Sequence, residues 1–106
     1  MKEITKLITD WREERGWRTP GDTYNPKDIA IGISTEAAEI LEHFRFMNGE
    51  KLESYIKEHK DEIGGELADT LYNIISLADI LHIDLEDAVK KKLVKSSLKY
   101  PPLTDN

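Results

Sequence analysis

The chain has 106 residues, enough for one modest core, and we expect a single domain spanning residues 1–106. A net charge of −6 argues against a general binder of nucleic-acid polymers or membrane surfaces, because both need clustered positive charge. The absence of cysteine excludes disulfides, thiolate metal sites and cysteine nucleophiles. No apolar run approaches the roughly 20 residues that span a bilayer, and no signal-peptide core opens the chain, so we expect a cytoplasmic protein.

The first half of the sequence predicts two helices separated by a loop. Apolar residues recur with helical spacing from Lys2 to about Arg15. Glycines and prolines then predict a loop from Gly16 to Pro26. Pro26 is a good first-turn residue, and the second helix is expected to run from there to about Phe46.

The second half predicts two more long helices. An Asn-Gly stop at residues 48–49 separates them from the second helix, and Leu52 to His59 favours a short extra helix. A long helix is expected from about Asp61 to Leu81, and another, capped by Asp84, to about Leu98. Four main helices with short connections predict an all-α fold, an antiparallel four-helix bundle. A chain this small is also expected to leave an apolar face that an oligomer covers.

Two nearly identical acidic hexapeptides lie thirty positions apart, EAAEIL at residues 36–41 and ELADTL at residues 66–71. Each has carboxylates at i and i+3, which are neighbours on one face of a helix. On a helical wheel of about 100° per residue, Glu36 adjoins the apolar arc of its helix and Glu39 lies beyond it. Glu66 and Asp69 stand in the same relation to the next arc, and Asn73 falls between them.

These wheels predict that packing of the two apolar arcs brings the acidic pairs together at the rim of the core. Four crowded carboxylates repel one another unless a cation neutralises them, and oxygen ligands suit Mg²⁺. The alternative is that both pairs are ordinary solvated helix surface.

Cationic and aromatic side chains are candidates for ligand contacts near these acids. Lys92 lies within the inward stripe of the last helix, a face that Ser96 and Tyr100 continue, and could reach a phosphate. The alternative is that Lys92 extends past the core to solvent. Phe46, on the acidic side of its helix, and Trp17, in the loop, could contact a nucleobase or simply pack.

The histidines do not complete a di-iron site, which needs Glu-x-x-His on two helices. His43, His59 and His82 are instead expected at the surface or at helix ends.

Taken together, these motifs resemble those of the MazG-like all-α nucleotide pyrophosphohydrolases, most closely the small dCTP pyrophosphatases. The resemblance rests on E-x-x-E, E-x-x-D, the Ile-Asp-Leu-Glu start of the last helix and the final Lys-Tyr-Pro. It implies metal ligation by the four carboxylates, phosphate contact by Lys92, a role for Tyr100, and enclosure of the base by Trp17 and Phe46. It also implies dimers or tetramers.

The sequence departs from this family at five positions. Thr35 and Gly65 stand where many relatives have a first acid. Phe46 replaces a common tryptophan and Ser96 a common asparagine, while Asn73 lies where a tyrosine often occurs.

The resulting hypothesis is a Mg²⁺-dependent enzyme, with Mn²⁺ as a possible substitute. It would cleave nucleoside triphosphates, deoxynucleotides such as dCTP or modified forms, to monophosphate and pyrophosphate in nucleotide-pool housekeeping. The catalytic residues would be Glu36, Glu39, Glu66 and Asp69. The alternatives are a non-catalytic helical interaction module and a nucleotide-binding regulator without turnover.

Overall fold

The computed structural model describes residues 1–17 and 25–103, and every structured element within them is helical. This confirms the all-α prediction. The central part of the predicted loop, residues 18–24, lies outside the described residues. The helices are α1 (Lys2–Glu13), α2 (Pro26–Glu42), α3 (Gly49–Ile80) and α4 (Leu85–Lys99).

Local sequence signals explain most helix ends. Asn25 caps α2 by accepting a hydrogen bond from the Lys27 amide at 2.9 Å. Asp84 caps α4 in the same way, accepting from the Asp87 amide at 3.0 Å. Gly16 adopts a φ of 71° just after α1, a left-handed conformation that glycine tolerates at a helix C-terminus.

The structure corrects three predicted boundaries. Helix α1 ends at Glu13 and α2 at Glu42, two and four residues before the predicted ends. The predicted short helix and the long helix that follows form one helix, α3, with a kink at His59 (φ −113°, ψ 16°). Gly64 and Gly65 have low helix propensity, yet α3 continues through both of them.

Helix α3 is the centre of the molecule. It packs along α2 and also against α1, whereas α4 makes sparse contacts with the other helices. Among the described residues, the buried apolar side chains are Ile75 and Ala78, both near the end of α3. The α2–α3 pair is therefore the part of the fold that positions the acidic residues.

Crossing a lipid bilayer would require a longer apolar stretch than any helix in residues 1–17 and 25–103 provides.

Candidate metal and nucleotide site

The antiparallel packing of α2 and α3 places the two acidic pairs as the wheels predict. Glu36 and Glu66 are half-buried at the edge of the helix interface, whereas Glu39 and Asp69 are exposed. One turn away the two helices come close together, since a Cβ placed on Gly32 would lie 3.5 Å from Nδ2 of Asn73.

The four carboxylates influence one another electrostatically. Burial raises the pKa of Glu36, and the charge and hydrogen bonding of Glu39 raise it further. Asp69 and Glu66, on the other helix, contribute to the same rise in the pKa of Glu36. A carboxyl group with a raised pKa beside like charges is the environment that a cation would relieve.

Two buried oxygens in this cluster are suitable cation ligands. Oε2 of Glu36 and Oε2 of Glu66 are buried without a well-formed hydrogen bond inside the described part of the chain. Buried carboxylate oxygens normally have partners, and a hard cation would supply one. As the side chains stand, however, no group of three or more His, Asp or Glu residues in the described ranges is already arranged around a metal position. Small rotations of the exposed Glu39 and Asp69 would be needed to complete a ligand set.

Thr35 and Gly65, where the resemblance implies a first acid in many relatives, carry no carboxylate that could act as a further ligand. The hydroxyl of Thr35 donates to the carbonyl of Ile31 at 3.1 Å, within its own helix. A Cβ on Gly65 would meet no atom within 4 Å.

Sequence reasoning missed the surroundings of Glu66. His43 lies at the end of α2, as expected, but it is only 8% exposed rather than at the surface. Its Nε2 is 2.6 Å from Oε2 of Glu66, and its Nδ1 is 2.7 Å from the hydroxyl of Tyr55. The apolar periodicity of α2 gave no sign of this, because His43 follows the last helical turn.

His59 and His82 differ in exposure and in their position relative to α3. His82 is exposed just after α3, with a φ of 55°. His59 is half-buried inside α3, at its kink, and so is neither a surface nor a helix-end residue.

Trp17 lies beside the acidic cluster. It lines an apolar cavity of about 580 Å³ that Asp69 and Tyr72 also border. It lines a second cavity of about 300 Å³ with Asn73 and Arg12. Arg12, a residue that the sequence did not single out, is buried and donates from Nη2 to the Trp17 carbonyl at 3.1 Å.

On the helical wheel of α3, Tyr72 lies on the side away from the apolar arc, which favours an exposed or interface position. The structure corrects this, because α1 packs there. The Tyr72 ring is half-buried and meets Trp11 edge-on at 5.9 Å between ring centroids.

The remaining candidate residues are not brought to the carboxylates within one chain. Phe46 is 80% exposed, stacks under Arg45 and borders neither cavity that Trp17 lines. Lys92 and Tyr100 are exposed on α4, and Ser96 is half-buried.

The two lysines that precede Lys92 form ion pairs within α4. Lys90 and Lys91 pair with Glu86 and Asp87 along α4, at 3.8 and 2.8 Å.

The structure defines the class to which this protein belongs: an all-α protein with acidic pairs on the facing helices α2 and α3. The model of the MazG-like family matches residues 31–105, a span that contains both acidic pairs and α4 but not Trp17. The chain therefore belongs to the MazG-like family, which confirms the resemblance read from the sequence.

Individual relatives agree with this assignment. A crystal structure of a pyrophosphatase from Archaeoglobus fulgidus superposes with a TM-score of 0.81 at 34% identity, covering 96% of this chain and 93% of that one. The dCTP pyrophosphatase 1 of Mus musculus is 23% identical over 103 residues, which cover 95% of this chain and 59% of the mouse protein. The Rattus norvegicus protein of the same name gives the same values. The chain thus spans about three fifths of the length of these curated relatives.

Proposed function

We propose that this protein is a Mg²⁺-dependent nucleoside triphosphate pyrophosphohydrolase that releases a nucleoside monophosphate and pyrophosphate. Deoxynucleotides such as dCTP or modified forms are the proposed substrates, and Mn²⁺ is a proposed substitute for Mg²⁺. The observation that carries the proposal is the pair of buried carboxylate oxygens on Glu36 and Glu66, neither of which has a well-formed hydrogen bond among the described residues, within a MazG-like fold.

The carboxylates would hold the cation and orient the reaction. Glu36, Glu39, Glu66 and Asp69 are the proposed ligands. A divalent cation bound there would offset the negative charge of the triphosphate and of the leaving pyrophosphate. In the hydrolysis, the oxygen of water bonds to the α-phosphorus and the bond to the bridging oxygen breaks. One of the carboxylates would orient this water and accept its proton.

Trp17 and Asn73 are proposed to contact the nucleoside. An indole ring offers a face on which a base can stack, and an amide can hydrogen-bond the edge of a base or sugar. Trp17 lines one cavity together with Asp69 and another together with Asn73, which supports the proposed contacts. A base held there would leave its phosphates close to the acidic pairs.

Lys92, Ser96 and Tyr100 share one face of α4, and Phe46 is exposed after α2. We propose that these four residues contact substrate only after subunits assemble, because α4 contacts the other helices of its own chain sparsely. The proposed assembly is a homodimer or homotetramer.

A product assay tests the proposed reaction. The protein is incubated with canonical and modified nucleoside triphosphates and Mg²⁺, and the products are separated by ion exchange. We expect monophosphate and pyrophosphate in equal amounts, at least 100-fold less with Glu66→Gln, and no change with Glu53→Gln, an exposed control on the same helix.

Other outcomes would favour the alternatives. Diphosphate and phosphate as products would refute the proposed bond cleavage. Nucleotide binding with Mg²⁺ but no product would indicate a regulator. No binding, and no rise in melting temperature with Mg²⁺, would indicate an interaction module.

A further inference from the structure

His43 is a buried histidine with both ring nitrogens in polar contact. Its Nδ1 is 2.7 Å from the Tyr55 hydroxyl and its Nε2 is 2.6 Å from Oε2 of Glu66. A carboxylate has no proton to donate, so a neutral ring would place its proton on Nε2. Nδ1 would then accept the hydrogen bond of the tyrosine hydroxyl. Both contacts are therefore compatible with the same neutral tautomer, in which Nε2 carries the proton.

Tyr55 contacts His59, the residue at which α3 kinks. Its ring stacks on the ring of His59, with centroids 3.9 Å apart and planes 14° from parallel. Nδ1 of His59 lies 3.0 Å from the Tyr55 carbonyl oxygen. His59 is also the residue with non-helical dihedral angles, so the kink and the orientation of Tyr55 are set at the same position.

The effect on the acidic cluster is asymmetric. Oε2 of Glu36 and Oε2 of Glu66 are both buried without a well-formed hydrogen bond in the described part of the chain, but of the two it is Oε2 of Glu66 that lies 2.6 Å from the imidazole. Because Nε2 of His43 lies against one oxygen of Glu66, the ring limits the orientations in which this carboxylate can meet a cation. Partners of this kind orient metal ligands, and their loss typically weakens metal binding by about 10–100-fold.

We infer that Tyr55 and His43 form a positioning relay that fixes the carboxylate of Glu66 for cation binding. The inference rests on the proposed function, since Glu66 is a proposed metal ligand. Neither His43 nor Tyr55 touches substrate or cation in this arrangement. Both act through Glu66.

Binding of Mn²⁺ without nucleotide tests the relay apart from turnover. Free Mn²⁺ is measured by its electron paramagnetic resonance signal during titration of the full chain. We expect roughly 10–100-fold weaker binding for His43→Ala and a smaller loss for Tyr55→Phe. His43→Gln should recover part of the loss, because its side-chain amide can donate near the position of Nε2. The control is His82→Asn, which removes an exposed histidine and tolerates the left-handed backbone there.

The outcomes separate the relay from the proposed function. Unchanged Mn²⁺ affinity in folded His43→Ala would overturn the relay, while nucleotide hydrolysis by the unmodified protein would still support the function. If His43→Ala does not fold, Tyr55→Phe decides, since it removes one oxygen atom. A loss of threefold or more in its affinity supports the relay, and wild-type affinity overturns it. If the unmodified protein neither binds Mn²⁺ nor hydrolyses nucleotides, both inferences fail.

Discussion

At the scale of single residues, the charge on Glu36 is opposed by burial and by its acidic neighbours, which raise its pKa. The folded protein therefore binds this proton more tightly than the unfolded chain does. The free energy of unfolding consequently falls as the pH rises from the ordinary glutamate pKa through the raised value. Above that pH window, the ionised carboxylate lowers the free energy of unfolding of the metal-free protein by a constant amount.

Replacing Glu36 by glutamine should remove this pH dependence. In metal-free buffer above the window, Glu36→Gln is expected to be more stable than the unmodified protein. Its advantage should vanish below the ordinary glutamate pKa, where both forms are uncharged. Urea denaturation across a pH series measures this difference.

The exposed Glu53→Gln serves as the control and should follow the unmodified protein. Added Mg²⁺ should stabilise the unmodified protein more than Glu36→Gln, because a ligand stabilises the state that binds it. Parallel pH profiles for Glu36→Gln and the unmodified protein would contradict the electrostatic account.

At the scale of elements, α4 depends on its own local interactions more than the other helices do. It contacts the rest of its chain sparsely, and its first turn is closed by the Asp84 cap. Two ion pairs within the helix, Lys90–Glu86 and Lys91–Asp87, add only a few tenths of a kcal/mol each, about 0.3–0.5. The cap is therefore expected to contribute more to this helix than either ion pair does.

Removal of the cap should weaken α4 measurably. Asp84→Ala is expected to cost about 1 kcal/mol and to lower the helical circular dichroism signal on heating. Asp61→Ala, at an exposed position inside α3, is the control and should cost less, since no cap is lost there. Equal effects of the two substitutions would show that α4 is held by other contacts.

At the scale of the whole molecule, a single chain leaves an unusually large surface in solvent. It exposes 8608 Å², whereas a folded monomer of this mass exposes about 6,100 Å². Its radius of gyration is 17.5 Å, against about 13 Å for a compact chain of this length. Leu93 is 61%, Val94 68% and Leu98 85% exposed on α4. This surface favours the proposed assembly, in which a second copy covers the apolar side of α4.

A charge on that surface should weaken assembly. Sedimentation equilibrium of the unmodified protein is expected to give a dimer or tetramer, and Leu93→Glu a smaller species. Lys95→Gln is the matched control, because it changes the net charge by the same amount and lies about 200° around the helix from Leu93. A monomeric unmodified protein would refute the assembly, and with it the proposed role of Lys92 in a completed site.

The sequence by itself determined the helical fold, the helix start at Pro26, the cap at Asp84, and the side of each helix on which the acids lie. These follow from local chemistry and from the period of 3.6 residues, which need no knowledge of the neighbours. Such signals placed Glu36 and Glu66 at the core edge correctly.

Only the tertiary structure decided which residues meet. The joining of two predicted helices into α3, the packing of Tyr72 against α1, and the contact of His43 with Glu66 all depend on where helices cross and where α3 kinks. Residues far apart in the chain make these contacts. The periodicity within each helix does not predict the angle at which two helices cross. For the same reason, the sequence placed Trp17 and Phe46 at one site. In a single folded chain, Trp17 lines the two cavities and Phe46 does not.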